Sequence, residues 1–212
     1  MIDTLIVLAK KPTAGRVKTR LCPPLTVHQA AELAAAALAD TLAVAARMPA
    51  RRRVLAFDAP TKTWLPLGWI PYRQPTGPLD VRIAAAMADA GRGPTVLVGM
   101  DTPQLRTDQL TEWNADRYPA CIGPATDGGY WAIGLSDPSI ARSVIEGVPM
   151  STSCTGAAQF ARLRTHGLDV QTLDALTDVD TITDADTVAA LAPGGQFANA
   201  LNRVRPNLVA AR

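Results

Sequence analysis

Short apolar runs alternate with helical segments along this chain, and this alternation constrains the fold more than any other feature. Residues 5–9 (LIVLA) are apolar without interruption, as expected for a strand that is covered on both faces. A long alanine-rich helix is predicted over residues 27–47, with Thr26 as its N-cap. The pattern predicts an α/β fold, a three-layer α/β/α sandwich around a mostly parallel sheet.

The remaining predicted elements continue this alternation. We expect strands at 54–57, 69–72, 95–98, 120–123, 130–135 and 170–173, and helices at 81–90, 107–116, 155–165 and 184–191. The turn Asp127-Gly128-Gly129 is typical of a hairpin and predicts an antiparallel segment within the sheet. One domain is expected over residues 1–192, followed by a peripheral appendage over 193–212, because the tail has little apolar content.

Composition and charge exclude several classes of protein. The chain has 212 residues, of which 48% are hydrophobic and 19% charged, which favours one globular domain. A formal net charge of +2 gives no indication of nucleic-acid binding. We recognise no signal peptide and no apolar run of membrane-spanning length. Cys22, Cys121 and Cys154 form neither a metal-binding pattern nor an even disulfide framework, which favours the cytoplasm.

The loop after the first strand is strongly basic. It reads KKPTAGRVKTRL over residues 10–21 and contains Lys11, Gly15, Lys18, Thr19 and Arg20. Backbone N–H groups and cations in such a loop can surround a triphosphate. It is not a P-loop, because no glycine directly precedes the lysine and no helix follows directly. A solvated basic loop without a ligand explains the same residues.

An aspartate stands at the end of the predicted strand over residues 95–98. The turn Gly99-Met100-Asp101-Thr102-Pro103 follows that strand directly. Ligands of open α/β sheets bind outside the carboxyl ends of the strands. A carboxylate at this position can hold Mg²⁺ or Mn²⁺, which in turn carries phosphate oxygens. The alternative is that Asp101 caps the helix expected near Thr107, or simply completes the turn.

The segment 123–130 (GPATDGGY) places Asp127 beside Gly128, Gly129 and Tyr130. Paired glycines allow positive φ angles or the close approach of a ligand. The carboxylate of Asp127 could bind an acceptor hydroxyl or serve as a base. A structural β-turn is the alternative, and the residues alone slightly favour it.

Two further polar segments lie near the last predicted helices. Asp178 and Asp180 are separated by one residue, so their side chains point the same way if the segment is extended. One of them could complete the metal site begun by Asp101, or the segment could cap the final helix. Ser151 and Thr152 could cap the helix that follows them, predicted over 155–165, or offer hydroxyl and N–H groups to an anion.

As a set, these segments resemble a known family. The chain is similar to the short bacterial GT-A-like proteins predicted to be glycosyltransferases. They belong to the nucleotide-diphospho-sugar transferase superfamily, beside molybdenum-cofactor and phospholactate guanylyltransferases. The resemblance covers residues 5 to about 191. It rests on Lys11-Pro12, Gly15, and the segments 18–21 (KTRL), 99–103 (GMDTP), 123–130 (GPATDGGY) and 178–181 (DVDT).

The resemblance implies a nucleotide-binding sandwich with a metal-dependent transfer site. Asp101 and Asp180 would hold Mg²⁺ or Mn²⁺, Lys18 would act on the donor phosphates, and Asp127 would face the acceptor as the second catalytic residue. The expected substrate-binding residues are Lys11, Gly15, Lys18, Thr19, Arg20, Gly77, Arg82, Gly99, Thr102, Gly128, Gly129, Tyr130, Ser151 and Thr152.

One segment departs from the family pattern. Residues 77–82 read GPLDVR, where relatives tend to have Gly-Asp-Leu-Gly followed by an acidic residue and arginine. The acidic residue is displaced and the second glycine is missing. This segment would lie near the nucleotide base or ribose, so the departure concerns donor choice and catalytic competence.

The predicted function is metal-dependent transfer from a nucleoside triphosphate or a nucleotide sugar to a small acceptor. The basic loop favours nucleotidyl transfer, because a triphosphate carries more negative charge, whereas the family favours glycosyl transfer. The alternative is a non-catalytic nucleotide-binding sensor or scaffold with the same fold. Trp64, Trp69 and Trp113 are expected to be exposed, which would suit surface contacts such as those of a homodimer.

Overall fold

The computed structural model describes residues 1–60 and 65–209 and contains one seven-stranded sheet in the order β3-β2-β1-β4-β6-β5-β7. Strand β6 runs antiparallel to its neighbours β4 and β5, and the other neighbouring strands are parallel. The predicted α/β class with an antiparallel segment is therefore confirmed. The strands are β1 (Thr4–Ala9), β2 (Arg52–Phe57), β3 (Trp69–Arg73), β4 (Thr95–Gly99), β5 (Ala120–Pro124), β6 (Tyr130–Leu135) and β7 (Val170–Thr172).

Helices cover both faces of this sheet. They are α1 (Val27–Arg47), α2 (Leu79–Ala85), α3 (Thr107–Thr111), α4 (Ala141–Ile145), α5 (Thr155–Thr165), α6 (Ile182–Leu191) and α7 (Gln196–Val209). Helix α2 continues as a π-helical turn over Ala86–Ala90. Thr26 caps α1 as predicted: its hydroxyl accepts from the Gln29 backbone N–H, and the Gln29 side chain accepts from the Thr26 N–H.

The side chains of β1 explain its continuous apolar sequence. Successive side chains of a strand point to opposite faces. Leu5 and Val7 join the core cluster on the face covered by α1, whereas Ile6 and Leu8 join the cluster packed with α2, α4 and α5. Because both faces of β1 are buried, no polar side chain is needed along its centre.

The structure corrects two expectations around the tryptophans. The helix predicted over 107–116 ends at Thr111, because the chain turns there and Trp113 packs into the core, where its indole N–H donates to the carbonyl of Tyr118 at 3.0 Å. Trp69 and Trp113 are only 7% and 4% exposed, so the prediction that they are exposed is wrong. Trp64 lies outside the described residues.

The segment after residue 193 forms a helix that shares the core. Phe197, Leu201 and Val204 of α7 are buried in one cluster with residues of α1. The carboxylate of Asp40 accepts from the backbone N–H groups of Gln196 and Phe197 at 2.9 and 2.8 Å, which satisfies donors at the start of α7. The residues predicted to form a peripheral appendage therefore contribute to the hydrophobic core.

Helix α1 spans Val27–Arg47 as predicted, although no apolar run of membrane-spanning length was recognised in the sequence. Among the described helices it is the one whose length and hydropathy would permit a membrane span. In this fold Leu33, Ala34, Ala37 and Leu38 are buried against the sheet and α7, as in the core helix of a globular protein.

Candidate functional site

A cleft of about 530 Å³ opens at the carboxyl ends of the parallel strands. Residues that directly follow strands line it, including Lys10 after β1, Gln74 after β3 and Met100 after β4. Trp131 of β6 and Ala34 of α1 also contribute to its wall. This edge is where open α/β sheets bind ligands, because loops from several strands meet there.

Lys18 lies at the meeting point of the acidic segments. Its Nζ is 2.8 Å from Oδ1 of Asp101 and 3.6 Å from Oδ1 of Asp180, and it donates to the carbonyl of Val179. The Lys18 side chain is only 7% exposed, and its φ of 50° lies in the left-handed region, which is uncommon for a residue with a side chain. The structure thus brings Asp101 and Asp180 together around one ammonium group.

The position of Lys18 differs from the sequence interpretation. The sequence assigned Lys18 to the donor phosphates and the carboxylates to a metal ion, whereas in the structure the lysine lies between the two carboxylates. Electrostatic attraction favours this arrangement, since a poorly solvated ammonium needs oxygen partners. Arg20 remains near the cleft surface and donates to Oδ2 of Asp180 at 2.7 Å.

Asp101 and Asp180 are not the caps of the helices that follow them, although the segment 178–181 does cap α6 through Thr181. The N-cap of α3 is Arg106, so Asp101 does not cap that helix. The N-cap of α6 is Thr181, which forms a capping box with Asp184. Asp180 is left to face Lys18 and Arg20, and the backbone N–H of Val179 donates to the carbonyl of Asp101 at 3.0 Å.

Asp178 is a half-buried member of this acidic group. Its Oδ1 atom is buried and has no hydrogen-bond partner among the described residues. Burial, followed by the negative charges of Asp101 and Asp127, raises the pKa of this carboxyl to about 7, while Lys18 opposes the shift. Asp178 lines the cleft, and a buried carboxyl oxygen without a partner is a departure from the rule that buried polar atoms are hydrogen-bonded.

The oxygen atoms around Lys18 suit a hard divalent cation. Asp101 and Asp180 supply carboxylates, and Val179 supplies a carbonyl. Within residues 1–60 and 65–209, no group of three or more His, Cys, Asp or Glu could hold a metal ion by itself. Two carboxylates match what a protein commonly supplies to Mg²⁺, which completes its shell with substrate phosphates and water.

The Asp127 loop is both a tight turn and part of the cleft wall. Oδ1 of Asp127 accepts from the Gly129 N–H at 2.8 Å, and the Gly128 carbonyl accepts from Gly156 at the start of α5. Gly128 has a φ of 91°, and a Cβ atom there would overlap the carbonyl oxygen of Ser153. Asp127 itself is exposed and lines the cleft.

The wall near Asp127 combines hydroxyl groups with apolar surface. The Tyr130 hydroxyl donates to the sulfur of Met150 at 3.9 Å, and burial raises the pKa of this phenol. The Thr152 backbone N–H donates to Oγ1 of Thr155 at 3.1 Å. Tyr130, Met150, Ser151 and Thr152 all line the cleft.

Gln74 and Arg82 form a pair that sequence reasoning identified only in part. Gln74 is 7% exposed, and its Oε1 accepts from Nη1 of Arg82 at 3.0 Å. Arg82 is a predicted binding residue, whereas Gln74 is not. Gln74 directly follows β3, and this position at the end of a strand is the signal that could have identified it as a site residue. The displaced acid of this segment, Asp80, instead accepts from the Gly147 N–H at 2.8 Å.

Most of the predicted site residues meet in this cleft. Those that line it are Lys18, Thr19, Arg20, Arg82, Gly99, Asp101, Thr102, Asp127, Gly129, Tyr130, Ser151, Thr152 and Asp180. Lys11, Gly15, Gly77 and Gly128 do not line it. The Lys11 side chain is exposed while its N–H donates to Asp58, and Gly128 packs against Ser153.

The sheet order and the strand-end cleft are those of the nucleotide-diphospho-sugar transferase fold. A predicted nucleotide-diphospho-sugar transferase from Desulfovibrio desulfuricans G20 superposes with a TM-score of 0.87 at 25% identity, over 99% of this chain and 98% of that chain. Residues 27–152 match the family described as "Uncharacterized protein conserved in bacteria (DUF2064)", and the chain belongs to that family. A search of curated proteins gave no match.

More distant structures share the fold at lower identity. CMP:2-keto-3-deoxy-manno-octonic acid synthetase, solved with CTP, has a TM-score of 0.58 at 12% identity over 91% of this chain and 99% of that chain. Rv0371c from Mycobacterium tuberculosis H37Rv has a TM-score of 0.57 at 17% identity, over 90% of this chain and 99% of that chain. Rv0371c has also been solved in complex with manganese. That structure superposes with a TM-score of 0.51 at 17% identity, over 89% of this chain and 98% of that chain.

Proposed function

We propose that this protein transfers a nucleotidyl or glycosyl group from a nucleotide-activated donor to a small acceptor, with Mg²⁺ or Mn²⁺ as cofactor. The observation that carries the proposal is the convergence of Lys18, Asp101 and Asp180 at one point of a strand-end cleft. This combination of an amine and carboxylates suits a ligand that contains both phosphates and a divalent ion.

The charges of the cleft support a phosphate-bearing donor. Lys10 and Arg16 line the cleft and form no ion pair among the described residues, so they remain available to phosphate oxygens. A divalent ion between Asp101 and Asp180 would neutralise negative charge that develops on the leaving phosphate. Lys18 would then bind phosphate oxygens, since its own carboxylate partners would be shared with the ion.

The opposite wall supports a hydroxyl-bearing acceptor. Asp127 is exposed at the cleft, and its Oδ1 is oriented by the Gly129 N–H. In this position the carboxylate can accept a proton from an attacking hydroxyl or hold that hydroxyl in place. Ser151 and Thr152 line the same wall and offer further hydrogen bonds to a polar acceptor.

Two structural relatives support nucleotide and metal binding. The synthetase complexed with CTP shows this fold with a bound nucleotide, and Rv0371c shows it with manganese. At identities of 12% and 17% these are fold-level similarities, so they support the ligand classes and not individual residues. The free thiols of Cys22, Cys121 and Cys154 support a reducing, cytoplasmic location.

A screen of thermal stability tests the donor and the metal together. Nucleoside triphosphates and nucleotide sugars are added to the protein with and without Mn²⁺, since a ligand that binds the folded state raises its unfolding midpoint. We expect a metal-dependent rise with at least one donor, and no such rise in Asp101→Asn. Asp108→Asn is the matched control, because Asp108 is exposed and, among the described residues, forms an ion pair only with Arg106. An Asp101→Asn protein with wild-type metal dependence would rule out the metal role.

The released product separates the two chemistries. Nucleotidyl transfer releases pyrophosphate from a triphosphate, whereas glycosyl transfer releases a nucleoside diphosphate from a nucleotide sugar. With the donor found in the screen, each product is measured after addition of a broad acceptor panel. Metal-dependent binding without turnover of any donor would instead support the non-catalytic sensor, for which the altered segment 77–82 is the favouring observation.

A further inference from the structure

Gln74 has a fixed orientation at the base of the cleft. Its Nε2 group donates to the carbonyls of Ala9 and Ala56 at 2.9 and 2.7 Å, which lie at the ends of β1 and β2. A reversed amide would place its oxygen against two carbonyl oxygens, which is strongly unfavourable. Oε1 of Gln74 is therefore directed toward Arg82, whose Nη1 donates to it at 3.0 Å.

Arg82 is a half-buried cation without a carboxylate partner. It forms no ion pair among the described residues, and its Nε is buried without a hydrogen-bond partner there. A charged group that is partly removed from water is costly unless it is paired. Since Arg82 lines the cleft, the missing partner is expected to come from a ligand.

Part of the Arg82 guanidinium is left to a ligand. One N–H of Nη1 donates to Gln74 and Nε is enclosed by protein atoms, so Nη2 is the nitrogen left to a ligand. Guanidinium N–H groups form charge-assisted hydrogen bonds with phosphate oxygens, and more than one of them can contact the same phosphate. A lysine could supply the charge at this position but not the planar guanidinium donors.

We propose that Gln74 and Arg82 form a phosphate subsite of the cleft, separate from the Lys18 cluster, in which Arg82 binds phosphate and Gln74 is a positioning residue. The identity of the ligand, a phosphate group of a substrate, rests on the proposed function. That phosphate belongs either to the nucleotide donor or to a phosphorylated acceptor.

Two calorimetric titrations test the subsite and identify the source of the phosphate. In the first, mono- and triphosphates of the four common nucleosides are titrated with Mn²⁺ into wild type, Arg82→Gln and Arg82→Lys. In the second, inorganic phosphate is titrated into each protein, alone and with saturating nucleotide. We expect Arg82→Gln to weaken binding at least about tenfold in one titration, and Arg82→Lys to recover only part of the loss.

The pattern of losses distinguishes the two sources. A loss confined to the nucleotide titration assigns the subsite to the donor, and a loss of phosphate binding beside bound nucleotide assigns it to the acceptor. Arg203→Gln is the control, because Arg203 pairs with Glu32 on the surface of α7 and α1. Wild-type affinities of Arg82→Gln in both titrations would overturn the subsite, even if nucleotides bind. A wild-type protein that binds neither nucleotide nor phosphate would overturn both proposals.

Gln74→Met tests the positioning role, because methionine has a similar size but neither an amide donor nor an acceptor. We expect the ratio of triphosphate to nucleoside affinity, or the affinity for inorganic phosphate, to fall about threefold or more. If Gln74 has a purely structural role, the variant should have a lower unfolding midpoint and should bind all ligands more weakly by the same factor. That result would refute the positioning role of Gln74. If Gln74→Met does not fold, the Arg82 variants alone decide whether the subsite exists.

Discussion

The ammonium group of Lys18 lies 2.8 Å from Oδ1 of Asp101, at the point where a divalent ion between the acidic residues would bind. Asp180 and the Val179 carbonyl also contact this ammonium. Because the lysine side chain is 7% exposed, its ammonium depends on these protein oxygens for most of its partners. Lys18 and a divalent ion therefore compete for the same oxygens when no phosphate is present.

This competition predicts that Lys18→Met raises the affinity for Mn²⁺ in the absence of nucleotide, by about tenfold. The methionine removes the competing charge but keeps a side chain of similar length. Nucleoside triphosphate binding should weaken in the same variant, because a phosphate contact is lost. Both affinities are measured by titration calorimetry, with Mn²⁺ binding checked by its electron paramagnetic resonance signal.

Arg20→Met is the matched control, since the Arg20 side chain is 69% exposed and, within the described part of the chain, forms an ion pair only with Asp180. We expect a smaller gain in Mn²⁺ affinity there, as an exposed ion pair contributes little. An equal or weaker Mn²⁺ affinity in Lys18→Met than in wild type would show that the lysine and the metal do not share a site.

Asp178 makes the stability of the protein depend on pH. Burial, with the charges of Asp101 and Asp127, raises the pKa of its carboxyl to about 7. The unfolded chain releases this proton near pH 4, whereas the folded protein keeps it until about pH 7. The folded state binds more protons between these values, so the free energy of unfolding falls as the pH rises across this interval.

Asp178→Asn should remove much of this dependence, because asparagine resembles the neutral acid at every pH. We expect similar free energies of unfolding for the two proteins at pH 4, and an advantage for the variant on the order of 2 kcal/mol at pH 8. Urea unfolding at pH 4, 6 and 8 measures the difference, with Asp108→Asn as an exposed control. Parallel curves for wild type and Asp178→Asn would contradict the assigned pKa.

Gly128 is required by both its backbone angle and its neighbour. Its φ is 91°, and a Cβ atom would overlap the carbonyl oxygen of Ser153. We therefore expect Gly128→Ala to lower the free energy of unfolding by about 2–3 kcal/mol and to displace Asp127. Gly15→Ala is the control, because Gly15 also has a positive φ of 74° but no atom within 4 Å of the added Cβ. Urea unfolding that shows equal losses for both variants would assign the effect to the backbone angle alone.

Much of the fold was predictable because the relevant signals are local. The apolar run of β1, the capping box at Thr26 and the turn at Gly128 each depend on residues that are neighbours in sequence. Asp101 was also identifiable, since a carboxylate directly after a buried strand must lie at the ligand-binding edge of such a sheet.

The arrangement of the site was not predictable, because it depends on contacts between distant segments. Lys18 reaches Asp101 and Asp180 only through its left-handed backbone and the folding of three loops onto each other. Gln74 is bound by carbonyls of two other strands, and a single glutamine after a strand carries no pattern of its own. These contacts form only in the tertiary structure, so neither the hydrophobic periodicity nor a short sequence motif predicts them.

The tail shows a signal that was present in the sequence but was outweighed by composition. Phe197, Leu201 and Val204 recur at helical spacing, which predicts one apolar face, although the segment as a whole is polar. In the structure this face packs on α1. The spacing of a few apolar residues was therefore more informative than their number.

Leu201→Ala tests whether α7 is part of the cooperative fold. Leu201 is fully buried between α7 and α1, so its truncation should lower the free energy of unfolding by about 2–5 kcal/mol. Leu191→Ala is the matched control, because Leu191 is 65% exposed and should change stability by less than about 0.5 kcal/mol. Urea unfolding followed by tryptophan fluorescence reports on the sheet, where Trp131 lies. An unchanged midpoint in Leu201→Ala would mean that α7 does not stabilise the domain, because loss of a helix that shares its core must also destabilise the sheet.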